Sequence, residues 1–68
     1  MMKMSEDLQH GDTLKMIWCG NKIIKSFEPY TGKMDFIDRV AVFYDGTKMS
    51  LEKGHFYEVV QWVNNTVS

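Results

Sequence analysis

Apolar and polar residues alternate along most of this chain, and short polar interruptions break the alternation into segments of strand length. The clearest case runs from Arg39 to Glu52, where Asp45-Gly46 separates Val40-Ala41-Val42-Phe43-Tyr44 from Thr47-Lys48-Met49-Ser50-Leu51. Asp-Gly supplies the positive φ angles of a tight two-residue turn, so the segment is expected to be a β-hairpin. Counting outward from that turn pairs Tyr44 with Thr47, Phe43 with Lys48, Val42 with Met49, Ala41 with Ser50, Val40 with Leu51 and Arg39 with Glu52. Val40, Val42, Met49 and Leu51 then share an inner face. Phe43, Lys48 and Ser50 lie outside, and Arg39 and Glu52 form a cross-strand ion pair.

A second hairpin is expected around Gly20-Asn21, between Thr13–Cys19 and Lys22–Glu28. A turn there pairs Trp18 with Ile23, Met16 with Lys25 and Leu14 with Phe27 on one face. The opposite face then carries Ile17 beside Ile24. Pro29–Asp35 is the longest turn-rich interruption and holds the single proline, which makes it a candidate functional loop. The next strand begins near Phe36, and its length to Tyr44 allows a bend around Asp38-Arg39. Phe56–Val63 is expected to be a fifth strand on its aromatic and β-branched content, although Phe56, Val59, Val60 and Val63 also fit a helical spacing. Its register depends on the turn at Lys53-Gly54-His55. A three-residue loop directs Tyr57 and Val59 inward with Phe56, Val60 and Trp62 outside, and a two-residue loop reverses this.

The expected fold is therefore all-β: a five-stranded antiparallel meander over residues 11–63 that curls into a small open barrel or a strongly twisted sheet. Residues 1–10 are expected to be a flexible segment or a short N-terminal helix starting at Ser5-Glu6-Asp7, and 64–68 a frayed end. With Gly11-Asp12 at its start and tight turns between its strands, the pattern over 11–63 resembles the SH3-like small barrels. That resemblance implies a fold and carries no ligand with it.

At 68 residues the chain holds one domain, of a size that buries only about 60% of the surface its unfolded chain exposes. Cys19 is the only cysteine and has no intramolecular disulfide partner, which favours a reducing compartment, so the protein is expected to be cytoplasmic. No apolar run approaches the roughly 20 residues that cross a bilayer, and the opening residues lack the apolar stretch of a signal peptide. No membrane association is expected. Net charge is −1 with the signs interspersed, which lowers the expectation of duplex-DNA binding, since that normally needs clustered cations to displace counterions.

No motif carries a named chemistry. Cys19 with His10 or His55 is the nearest approach to a thiolate and base pair, and His10, Asp12, Cys19 and His55 lack the close spacing of metal ligands. Asp45 serves the turn, while Asp35, Asp38, Glu52 and Glu58 are explained by solubility and cross-strand pairing. Neither a cofactor, a metal site nor enzymatic activity is expected. The stronger signal is an excess of large apolar residues over what one thin core absorbs. It points to a non-catalytic protein-binding module, an adaptor, regulatory subunit or inhibitor of a larger protein, capable also of homodimerising. Ile17, Ile24, Tyr30, Phe43 and Trp62 are the expected partner contacts. The alternative is a single-stranded nucleic-acid-binding barrel using Tyr30, Lys33, Phe43 and Lys48, with bases stacked on rings and lysines along the backbone.

Overall fold

The computed structural model describes residues 1–18 and 20–60. It is all-β and antiparallel, with six strands: β1 (Met2–Met4), β2 (Thr13–Met16), β3 (Gly20–Glu28), β4 (Ile37–Phe43), β5 (Lys48–Glu52) and β6 (Phe56–Glu58). Strands β2, β3, β4 and β5 follow one another in a sheet, and β1 pairs with β6 in a separate ribbon. The long strand β3 gives its first half to β2 and its second half to β4, with a bulge between Ile24 and Ser26. A second irregularity falls between Ile37 and Arg39, where the sequence suggested a bend. Bulges increase local twist, and these two curl the sheet into a half-barrel. The ribbon closes one side of it through a bridge between Leu14 and Val59 and the bond from the Val60 amide to the Thr13 carbonyl (2.8 Å).

The Asp45-Gly46 hairpin is present, but its register is one residue away from the expected one. Within the turn Gly46 alone has positive φ (89°), and among the described residues none other than glycine does. A two-residue type I′ turn needs two such residues in succession. The chain instead makes a three-residue loop, with the Gly46 amide bonded to the Phe43 carbonyl (3.0 Å) and the Phe43 amide to the Thr47 carbonyl (2.9 Å). Ala41 therefore pairs with Met49, and Val42 with Lys48. A slip of one residue exchanges the two faces. Ala41, Phe43 and Leu51 are buried with Met49 packed against them, while Val40 and Val42 face outward, half-buried. The expected Arg39–Glu52 pair is replaced by Arg39 opposite Leu51.

The first hairpin differs in the same way. Met16 pairs with Gly20 and Lys15 with Asn21, so Ile17 and Trp18 leave the strand and the reversal comes ahead of the expected Gly20-Asn21. Gly20, at φ 74°, re-enters the strand after the reversal. The shift is odd, so Ile24 moves from the expected outer face into the core, fully buried opposite Phe43.

The core consists of Leu8, Leu14, Ile24, Ala41, Phe43, Leu51 and Val59. Leu8 and the buried Ser5 belong to the segment expected to be flexible or helical. Ser5–Asp7 does form a single 3-10 turn, but β1 pairs with β6 just before it, and the Ser5 amide bonds to the His55 carbonyl (2.9 Å). Arg39 fastens this segment from the other side. One of its guanidinium nitrogens donates to the carbonyls of Ser5 (3.1 Å) and Leu8 (2.8 Å) while the group lies 3.7 Å from the centre of the Phe27 ring. Tyr57 and Val59 face inward and Phe56 outward, but β6 pairs with β1 and not with β5, so the loop length at Lys53–His55 does not set this orientation. No helix among the described residues is long and apolar enough to cross a membrane.

Candidate binding groove

The half-barrel stays open between β5 and the tip of the β2–β3 hairpin, and the opening is a groove of about 410 Å³. Met16, Ile17, Trp18, Met49 and Tyr57 provide most of its apolar wall, and Phe43 lies at its floor. The hairpin tip sets Ile17 and Trp18 almost wholly in solvent, 89% and 92% exposed. Folding gains little from leaving two large apolar side chains so exposed beside an apolar cleft.

The groove's lysines are each paired with a carboxylate. Lys22 lies 3.1 Å from Asp45, Lys48 3.1 Å from Glu28, and Lys15 3.9 Å from Glu58. Lys22 also passes over the Phe43 ring, 5.6 Å from its centre, and donates to the Thr47 hydroxyl (2.7 Å). Asp45 accepts from that hydroxyl (2.6 Å) and from the Thr47 amide (2.9 Å). These two bonds, led by the hydroxyl and assisted by Lys22, lower the Asp45 carboxyl from its ordinary 3.8 to about 2. Asp45 is thus a permanent anion near neutrality, fixing the turn at one end of the groove.

The residues expected to contact a partner separate in space. Ile17 lines the groove. Ile24 and Phe43, at 0% and 2% exposure, belong to the core, because both hairpins take registers that turn them inward. Tyr30 belongs to the Pro29–Asp35 loop, where its hydroxyl accepts from the Met34 amide (3.4 Å) and its ring sits over Gly32. Trp62 lies outside the described residues. Of the residues expected to contact nucleic acid, Lys33 is exposed in the same loop as Tyr30, and Lys48 is exposed but paired with Glu28. Phe43 has no exposed ring face on which a base could stack.

Trp18, Met16, Met49 and Tyr57 were not identified from sequence as groove residues. Their signal was the apolar Ile17-Trp18 directly before Cys19-Gly20, which suits the tip of an odd-length loop as well as the end of a strand. His10 and His55 are separately engaged. A ring nitrogen of His10 lies 3.2 Å from the Tyr44 hydroxyl, and His55 packs on Tyr57 with ring centres 4.6 Å apart. Cys19 lies outside the described residues, and no group of three potential metal ligands occurs among those described. Neither a family model, nor a curated protein, nor a solved structure matches the chain.

Proposed function

We propose that the chain is a non-catalytic protein-binding module of the cytoplasm, a small SH3-like barrel that takes an apolar segment of a partner protein into its groove. The observation that carries this reading is the exposure of Ile17 and Trp18 at the lip of an apolar cleft whose lysines are already neutralised. Large aromatic anchors beside a concave apolar surface are the usual centres of protein recognition. The groove's rings and lysines also favour a second reading, single-stranded nucleic acid, with Trp18 and Tyr57 as stacking platforms. The carboxylates weigh against it, since phosphates would have to displace them to reach the cations.

Trp18→Ser and Ile17→Ser separate the two readings. Both side chains stand in solvent, so each variant should keep the fold within about 0.5 kcal/mol. Affinity capture from the native cell with nuclease treatment should yield protein partners that either substitution removes. Capture unchanged by both substitutions, or binding of a single-stranded oligonucleotide that falls steeply with added salt, contradicts the protein-binding reading.

A further inference from the structure

Strand β5 lies at the end of its sheet. In an antiparallel ladder, successive residues direct their amide and carbonyl alternately toward one neighbour and the other. The bond from Phe43 to Thr47 sets the phase, so Thr47, Met49 and Leu51 are the β5 residues bonded to β4. Lys48, Ser50 and Glu52 therefore present their backbone groups to the open side, where β5 ends its sheet. The bond that the Glu52 amide donates to the Tyr57 hydroxyl (2.9 Å) agrees with this phase. No strand among the described residues takes up the amides and carbonyls of Lys48 and Ser50.

We propose that two copies of the chain join through this edge, β5 to β5, antiparallel about a two-fold axis at Ser50. In that register Ser50 faces Ser50 of the second copy, Lys48 faces Glu52, and Met49 faces Leu51. All three outward-directed residues fall at hydrogen-bonded positions. Charge meets opposite charge on the exposed face, and apolar meets apolar on the concave face. The neighbouring registers lose this match. An axis at Lys48 or Glu52 opposes like charges, and an axis at Met49 or Leu51 leaves Lys48 and Glu52 without each other. The carboxylate of Glu52 has no cation partner within its own chain among the described residues, so the second copy supplies one. Near the ends of the seam, the Lys48 carbonyl of the second copy replaces the Tyr57 hydroxyl as acceptor for the Glu52 amide.

A free edge strand usually carries a lysine to repel strangers. Here the lysine also selects the one partner that offers a glutamate at the matching position. The inference goes beyond the groove reading, since it needs neither Ile17 nor Trp18.

Sedimentation equilibrium at moderate salt tests it. The intact chain should show twice its mass of 8.0 kDa as concentration rises. Lys48→Glu and Glu52→Lys should each weaken association by about tenfold or more, because each creates two like-charge contacts across the seam, and Lys48→Glu also sets its carboxylate beside Glu28 within each chain. An equimolar mixture of the two variants should recover association, since both facing pairs then become opposite in sign. Ser50→Pro removes a central amide that serves only the seam and should give a monomer with an unchanged far-UV spectrum. A single mass of 8.0 kDa for the intact chain up to about 1 mM, or a doubled mass that survives Ser50→Pro, overturns the proposal. A doubled mass lost only on Trp18→Ser also overturns it, and places self-association in the groove.

Discussion

Phe43→Ala should abolish the fold at room temperature. Phe43 is 2% exposed, pairs across the sheet with Ile24, and lies in the one core that holds both halves of the half-barrel. Deleting such a ring costs about 3–5 kcal/mol in lost burial and residual cavity. A chain of this size commands a total of similar magnitude. Circular dichroism should report a largely unfolded variant at 25 °C. Phe43→Leu, which fills more of the space, should remain folded with a lowered denaturant midpoint. A folded Phe43→Ala with a midpoint near that of the parent would mean that the ring lies on the outside, as a two-residue turn at Asp45-Gly46 would place it.

Arg39→Met should produce the next largest loss, and should locate it at the N-terminus. The methionine keeps much of the aliphatic packing on Phe27 but donates nothing, so the carbonyls of Ser5 and Leu8 lose the guanidinium that bonds both. Two charge-assisted bonds in a partly buried setting are worth about 2–4 kcal/mol together. Hydrogen exchange should show the Ser5 amide, bonded to the His55 carbonyl, losing far more protection than the Phe43 amide within the β4–β5 hairpin. Arg39→Lys should recover only part of the loss, because an ammonium can donate to these carbonyls but cannot stack its planar group on the Phe27 ring as the guanidinium does. Equal loss of protection at Ser5 and Phe43 would show that Arg39 serves the whole core and not the N-terminal strap.

The strands and the small curled sheet were legible because Asp45-Gly46, Gly20 and Gly54 punctuate alternating runs. The faces were not. Asp-Gly suits a two-residue turn with both residues at positive φ and equally a three-residue loop with only the glycine there, and the choice between them inverts the hairpin. In the sequence, Val40 and Val42 look like core as readily as Ala41 and Phe43 do. Packing against Ile24 and Leu51 decides for the second set. The same ambiguity moved Ile17 and Trp18 from a strand to an exposed tip, which is why the groove was not visible beforehand. The pairing of β1 with β6 joins residues more than fifty positions apart, and nothing local in Met2–Met4 announces it. Likewise, Arg39 reads as a cross-strand partner for Glu52 until the N-terminal carbonyls are known to lie beside it.

The register of the β4–β5 hairpin underlies the buried Phe43 and the groove beside it. Nuclear Overhauser contacts between α-protons report it directly, because these protons approach closely only at non-hydrogen-bonded pairs of an antiparallel ladder. Strong contacts are expected between Val42 and Lys48 and between Val40 and Ser50. Contacts between Phe43 and Lys48 and between Ala41 and Ser50 in their place would contradict the account, returning Phe43 to the surface and Val42 to the core.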